Sequence, residues 1–207
     1  MVYRVLIVDD YMMPRIVFEH AIKGSKKYEL AASLPSAEEA VEYCEENPVD
    51  LILMDVVMVN GLSGMDAARR IKETHPEIKI ILVTSMPEVS FLQRAKEIGV
   101  DSFWYKEVQE LPILNVMDRT MAGENVYPEN TPETMLGNIP SSELTPRELD
   151  VLRELTGGLT NQEIAEKLNV SVQAVKMHVT NMLQKTGYQS RLELALHARI
   201  EGIVIKE

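Results

Sequence analysis

The chain has 207 residues, a net charge of −11, 45% hydrophobic residues and a single cysteine, Cys44. This length and apolar content allow one large domain or two small ones, and the lone cysteine excludes an intramolecular disulfide framework. The amino-terminal run MVYRVLIVDD is too short for a membrane span and lacks the features of a signal peptide, so we expect a cytoplasmic protein without a membrane partner.

The first 123 residues alternate between short apolar runs and longer amphipathic stretches. The apolar runs predict strands at 3–8, 28–34, 50–54, 79–84 and 101–105. The stretches between them predict helices at about 12–24, 36–47, 63–75 and 88–98, and a fifth from Pro112 to about Gly123. Five strand–helix units with uniformly apolar strands indicate a parallel sheet with helices on both faces.

Polar side chains gather where these strands end. Asp9 and Asp10 follow the first strand, Asp55 follows the third, Thr84 ends the fourth and Lys106 follows the fifth. A lone aspartate at a strand end is usually a helix cap or a turn residue. Because parallel strands end at one edge of a sheet, where α/β proteins bind their ligands, five such positions favour a functional site.

The residue types at this edge suit phosphoryl transfer. Three clustered carboxylates repel one another unless a cation joins them, and Asp9, Asp10 and Asp55 offer the hard oxygen ligands that Mg²⁺ prefers. A carboxylate can attack phosphorus to form an acyl phosphate, and the reaction mainly needs positioning and charge neutralisation. Lys106 would supply positive charge, and the Thr84 hydroxyl would donate a hydrogen bond to a phosphoryl oxygen.

The strings VLIVDD, LILMDVVM, ILVTS and GVDSFWYK resemble, in order and spacing, the receiver domain of bacterial two-component response regulators. The resemblance covers about residues 1–123. It implies a flavodoxin-like α/β fold whose five parallel strands have the order 2-1-3-4-5. It also implies that Asp55 is the phosphoacceptor and Lys106 the phosphate-sensing lysine.

The same resemblance implies roles for the remaining residues of the edge. Asp9 and Asp10 would bind Mg²⁺ together with the phosphoacceptor and the backbone carbonyl of Val57. Thr84 would be the switch hydroxyl that moves toward the phosphate, and Phe103 the switch aromatic that turns inward.

The segment after Asp55 departs from the family pattern. The family usually has Met-Pro three and four residues after the phosphoacceptor and a glycine at the eighth. Here Val59 replaces the proline and Gly64 occupies the ninth place, which indicates one extra residue near Asn60-Gly61. We expect a longer and less constrained loop.

Residues 124–143 contain three prolines, one glycine and little apolar periodicity, which predicts an interdomain linker. From residue 144 to 207 the pattern predicts a small all-α domain and no strand. Its four helices are expected at about 146–156, 161–168, 172–186 and 190–201. Asn161, Ser171 and Ser190 are the predicted N-caps of the last three helices.

The stretch from Leu168 to Leu192 contains no acid, which makes it locally basic within an acidic chain. One face of its predicted helix carries side chains suited to base edges and phosphates. These are Gln173, Lys176, Met177, Thr180, Asn181 and Gln184. An ordinary solvated helix face is the alternative interpretation of this pattern taken alone.

LTPRE at 144–148, GLTNQEIA at 158–165 and VKMHV at 175–179 resemble the LuxR-type helix-turn-helix domain of NarL/FixJ-type regulators. The resemblance implies that Lys176, Met177 and Thr180 enter a DNA groove and that Asn181 and Lys185 reach phosphates. It further implies that the last helix forms a dimer surface. Because a lysine is common at the position of Thr180, we predict a shallow salt dependence of DNA binding for the monomer.

Three classes of function are compatible with these features. The first is a transcription regulator that a sensor histidine kinase phosphorylates, and that binds promoter DNA as a homodimer and acts on the transcription machinery. The second is a DNA-binding protein whose receiver is only a dimerisation scaffold. The third is an aspartate-nucleophile phosphatase, which normally needs a second acid where this chain has Val57. We therefore expect a regulator and not an enzyme.

Overall fold

The computed structural model describes residues 2–59, 61–88, 90–106 and 111–204. The chain divides into two compact units, one comprising Met1–Ser85 and Ser90–Asn130 and the other Met86–Val89 and Thr131–Glu207. Within the described residues, none of the helices combines the length and the apolar character that crossing a membrane requires.

The first unit is built on a five-stranded parallel sheet. Its strands are β1 (Tyr3–Val8), β2 (Tyr28–Leu34), β3 (Leu51–Asp55), β4 (Lys79–Thr84) and β5 (Ser102–Tyr105). They pair in the order β2-β1-β3-β4-β5, and every pairing is parallel. The order that the receiver resemblance implies is confirmed. β3 is buried along its whole length, as a central strand covered on both faces must be.

Five helices cover this sheet: α1 (Met12–Lys23), α2 (Ala37–Glu46), α3 (Gly64–Thr74), α4 (Phe91–Ile98) and α5 (Ile113–Met121). Local side chains set where two of them begin. Ser36 Oγ accepts a hydrogen bond from the backbone N–H of Glu39 at the start of α2, and Ser63 Oγ accepts one from Asp66 at the start of α3.

The second unit contains a short hairpin and four helices. The hairpin strands are β6 (Met135–Leu136) and β7 (Ile139–Pro140), and a 3₁₀ turn follows at Ser141–Glu143. The helices are α6 (Pro146–Thr156), α7 (Asn161–Lys167), α8 (Val172–Thr186) and α9 (Arg191–Ile200). Their apolar faces share one core, which includes Leu152, Ile164, Val175 and Leu194. The four predicted helices are confirmed.

The predicted linker, residues 124–143, contains ordered structure: it holds the hairpin, and in it Val126 is buried and its carbonyl accepts a hydrogen bond from the N–H of Phe103. The hairpin strands have two residues each, too few to show a period. The N-cap of α7 is Thr160 and not Asn161, since Thr160 Oγ1 and Glu163 form a reciprocal capping box.

Candidate functional site

The strand order brings the predicted acidic residues together at the carboxyl edge of the sheet. β1 and β3 are neighbours, so Asp9 and Asp55 emerge side by side, and both are buried, with 0% and 5% exposure. Lys106 follows β5, and its Nζ lies 2.6 Å from Asp9 Oδ2 and 3.0 Å from Asp55 Oδ1. One ammonium therefore bridges two carboxylates that are 46 positions apart in sequence.

The carboxylates fit a divalent cation. One oxygen from each of Asp9, Asp10 and Asp55 lies within 4.8 Å of the others. Asp10 Oδ1 is buried and has no hydrogen-bond partner within the described part of the chain. A buried carboxylate oxygen without a partner is costly, and a hard cation such as Mg²⁺ would satisfy it. Val57, whose carbonyl is the fourth predicted ligand, lies two residues beyond Asp55 in the following loop and is half-buried.

The charges at this edge do not balance, and burial and the excess of carboxylates together shift the pKa values of Asp55 and Lys106. Burial raises the pKa of Asp55 to about 7, and the nearby carboxylates of Asp9 and Asp10 add to the rise, whereas Lys106 opposes it. Burial alone would lower the pKa of Lys106, but Asp55 and Asp9 outweigh it and hold this pKa above its ordinary value. A second positive charge would stabilise ionised Asp55.

Thr84 and Phe103 lie on the two strands beyond Asp55. Thr84 ends β4, is 1% exposed, and its carbonyl accepts a hydrogen bond of 2.8 Å from the N–H of Lys106. The predicted switch aromatic Phe103 is already turned inward, with 1% exposure and its ring edge-on to Tyr105 at 5.1 Å between centroids.

Gly64 closes the loop after Asp55. Its N–H donates to the carbonyl of Val56 at 3.1 Å. A Cβ at this position would collide with the backbone oxygen of Asp55 and would lie 3.1 Å from Met54 Cγ. A side chain is therefore excluded at the first residue of α3, which explains a glycine at the ninth place despite the extra residue.

The sequence analysis missed two residues near the site. Arg15 Nη1 donates to the backbone carbonyl of Asp9 at 2.6 Å, and Glu38 Oε1 accepts a hydrogen bond from the N–H of Leu62 in the loop. Neither residue stands out from its helix in the sequence, because nothing in the pattern of α1 or α2 reveals which surface position faces the site.

In the second unit, α8 has two distinct faces. Val175, Val179 and Met182 are buried against the core of this unit. The opposite face is exposed and carries all six of the side chains that the sequence analysis assigned to it: Gln173, Lys176, Met177, Thr180, Asn181 and Gln184. Ser171 Oγ caps the helix by accepting from the N–H of Ala174 at 3.1 Å. The turn before it contains Asn169, with φ of +52°.

Lys185 lies outside this face, and its ammonium group is paired with residues of the second unit. Its Nζ is 2.8 Å from Glu148 Oε2 and 3.2 Å from the carbonyl oxygen of Glu143. Glu148 is 3% exposed and also accepts from the N–H of Thr145 as part of the capping box of α6. A phosphate contact by Lys185 would have to compete with this ion pair.

An α/β receiver-like unit with an acidic edge, followed by a helical unit with an exposed polar helix face, defines a two-module regulator. Two family profiles agree: the response regulator receiver domain matches residues 5–118, and the luxR family of bacterial regulatory proteins matches 142–198. The chain is 32% identical over 203 residues to response regulator protein VraR of Staphylococcus aureus strain NCTC 8325 / PS 47, covering 96% of this chain and 97% of VraR. It belongs to the response regulators of the NarL/FixJ type, which are DNA-binding transcription regulators and not enzymes.

Solved structures share this fold at lower identity. An RcsB–DNA complex superposes with a TM-score of 0.65 at 17% identity, covering 96% of this chain and 98% of RcsB. RcsB from Salmonella enterica serovar Typhimurium, bound to promoter rprA in the presence of the phosphomimetic BeF3⁻, gives a TM-score of 0.62 at 18% identity, covering 94% and 97%.

Proposed function

We propose that a sensor histidine kinase phosphorylates Asp55 with the help of Mg²⁺, and that this controls dimerisation and sequence-specific DNA binding in the cytoplasm. The observation that carries the proposal is the position of Lys106 Nζ, 2.6 Å from Asp9 and 3.0 Å from Asp55 at the carboxyl edge of the sheet. Three carboxylates and one ammonium, gathered from the ends of three strands, form the arrangement that phosphoryl transfer to a carboxylate needs.

In the proposed reaction an Asp55 oxygen attacks the phosphorus of the kinase's phosphohistidine. The O–P bond forms as the P–N bond breaks, and the imidazole leaves with the electron pair and is protonated. Asp9, Asp10, Asp55 and the Val57 carbonyl would hold Mg²⁺, which when bound would neutralise negative charge on the phosphoryl oxygens. Lys106 donates to a phosphoryl oxygen and so gives up one of its present carboxylate partners.

The switch step follows from the same residues. The Thr84 hydroxyl donates to the phosphoryl group, and the phosphorylated state shifts a pre-existing conformational equilibrium. Phe103 is already buried, so in this chain its contribution is to pack against the new position of Thr84 rather than to enter the core.

The output step is DNA binding by paired α8 helices, with half-sites about one helical turn apart. Lys176, Met177 and Thr180 read the major groove, and Asn181 contacts a phosphate. Lys185 reaches a phosphate only after it releases Glu148. α9 forms the dimer contact of the DNA-bound form.

The proposed division of labour follows the predicted boundaries. Residues 1–123 receive the phosphoryl group and residues 144–207 bind DNA. Residues 124–143 connect them, and the hairpin makes part of this connection an ordered extension of the second unit.

Intact-mass spectrometry tests the phosphorylation step. The protein is incubated with acetyl phosphate and Mg²⁺, and a mass gain of one phosphoryl group is expected for the wild type and not for Asp55→Asn. Omission of Mg²⁺ should abolish the gain. A wild-type protein that gains no mass under these conditions would contradict the proposal.

A scaffold receiver that is not phosphorylated is the second candidate, because the loop after Asp55 carries an extra residue next to the proposed metal ligands. The two candidates differ in one measurement. A phosphorylated regulator binds promoter DNA more tightly after acetyl phosphate treatment, whereas a scaffold binds it equally with and without treatment.

A further inference from the structure

The loop between β3 and α3 donates hydrogen bonds at two points to carboxylates from other parts of the first unit. In its first half, the backbone N–H of Val59 donates to Asp10 Oδ2 at 2.8 Å. In its second half, the N–H of Leu62 donates to Glu38 Oε1. The extra residue of the loop falls between these two points.

Asp10 divides its two oxygens between the loop and the acidic cluster. Oδ2 accepts from Val59, whereas Oδ1 is buried among the cluster and has no hydrogen-bond partner in the part of the chain that the structure describes. A cation on Oδ1 would leave the hydrogen bond of Oδ2 in place. Hydrogen bonds of this kind orient metal-binding carboxylates and strengthen their hold on the ion.

The loop can donate the hydrogen bond to Asp10 because this chain has valine at position 59 where the family usually has proline. Where the receiver sequences that this chain resembles usually have proline, Val59 retains a backbone N–H, and proline would have none. Its side chain is 64% exposed, so burial of the valine side chain does not explain the residue.

Glu38 is placed to hold the second half of the loop. Its Oε2 accepts from Ser36 Oγ at 3.0 Å at the start of α2, which fixes the carboxylate beside the loop. Hydrogen bonds from its own backbone N–H, from Leu62 and from Ser36 hold the pKa of Glu38 below its ordinary value. Gly61, with φ of +81°, makes room, since a Cβ there would collide with the Glu38 carboxylate.

From these contacts we infer that Val59 and Glu38 are positioning residues that couple the order of the β3–α3 loop to divalent-cation binding at Asp10. The inference rests on the proposed function, because it assumes that the acidic cluster binds Mg²⁺. Coupling is reciprocal: the ion orders the loop, and a loop that is held by these hydrogen bonds binds the ion more tightly. The family's rigid proline is replaced by a hydrogen bond to a metal ligand.

The test is a Mg²⁺ titration of the full chain by calorimetry, with Val59→Pro and Val59→Ala as matched variants. Val59→Pro removes the N–H and should weaken Mg²⁺ binding about tenfold. Val59→Ala keeps the N–H and should bind within about twofold of the wild type. Hydrogen–deuterium exchange gives an independent readout: Mg²⁺ should slow exchange in the loop of the wild type and of Val59→Ala.

Glu38→Ala, with Glu39→Ala as its control, gives a second test of the coupling that does not depend on whether Val59→Pro folds. Both variants remove one exposed carboxylate from α2, but among the described residues it is the Glu38 carboxylate, and not that of Glu39, that accepts a hydrogen bond from the loop. Glu38→Ala should weaken Mg²⁺ binding about fivefold and speed exchange of the Leu62 amide, and Glu39→Ala should do neither.

The outcomes separate this inference from the proposed function. A wild type that is phosphorylated at Asp55, with variants that all bind Mg²⁺ equally, overturns the coupling and leaves the proposed function standing. A wild type that neither binds Mg²⁺ nor accepts a phosphoryl group overturns both.

Discussion

Gly64→Ala should strongly destabilise the first unit, because the structure leaves no space for a side chain at this position. Gly64 opens α3 directly against the end of β3, and an added methyl group would overlap the carbonyl oxygen of Asp55. It would also lie 2.8 Å from the Asp55 carbonyl carbon and 3.1 Å from Met54 Cγ. Normal contacts between such atoms are about 3.5–4.0 Å.

The size of the effect follows from what has to move. The colliding atoms belong to backbone, so rotation of a side chain cannot relieve the overlap, and α3 must withdraw from β3 by about 1 Å or more. Overpacking of this kind costs about 1–3 kcal/mol. We expect a loss near the upper end, about 3 kcal/mol in the free energy of unfolding, because both elements are held in the core. Phosphorylation of Asp55 should fall as well, since its backbone is displaced.

Gly24→Ala is the matched control. Gly24 ends α1 with a helical φ of −76°, and the nearest atom to an added Cβ is the carbonyl oxygen of Ala21 at 3.5 Å. This variant should be unchanged or more stable by about 0.5 kcal/mol. Urea unfolding measures both variants, and intact-mass spectrometry measures their phosphorylation. If Gly64→Ala were as stable and as readily phosphorylated as Gly24→Ala, the argument from the close approach would be refuted.

Three further substitutions test other parts of the chain. Asp101→Asn should cost about 3 kcal/mol in urea unfolding, because it removes the carboxylate charge beside the largely buried Lys72, whose Nζ lies 2.6 Å from Asp101 Oδ2, and beside Lys79. Lys185 and Thr145 outweigh burial and hold the pKa of Glu148 below its ordinary value. The ionised Glu148 carboxylate therefore contributes fully to the free energy of unfolding above its unfolded-state pKa, and this contribution is lost as the pH falls through its folded-state pKa. The difference in melting temperature between wild type and Glu148→Gln should accordingly become smaller at acid pH. Thr180→Lys should steepen the salt dependence of DNA binding by about one released counterion per monomer, in a titration of Kd against salt.

The elements of the first unit were predictable because burial leaves a clear pattern. A parallel strand covered on both faces must be apolar throughout, as β3 is, so each strand stands out from the amphipathic helices around it. The acidic edge was predictable for the same reason, since the end of each strand is visible in the sequence and parallel strands end together. Lys106 was placed beside Asp55 on this argument alone.

What the sequence did not reveal depends on contacts between positions far apart. The pairing of Lys185 with Glu148 spans 37 residues, and it engages a lysine that the family resemblance assigns to a phosphate. The two-residue strands of the hairpin are too short for an alternation of apolar and polar residues. The capping box of Thr160 was missed because the next residue, Asn161, is an equally good capping type.

The loop after Asp55 shows how a departure from a family pattern can mislead when only the sequence is considered. Loss of a proline and gain of one residue both raise the entropy of an unattached loop, so the expectation of a less constrained segment was physically sound. The loss of proline, however, is also the gain of an N–H, and that N–H donates to Asp10. The loop is therefore constrained by hydrogen bonds to Asp10 and Glu38 instead of by a rigid ring. Under the proposed coupling, a constraint of this type would strengthen or weaken with cation binding at Asp10, whereas a proline ring would not.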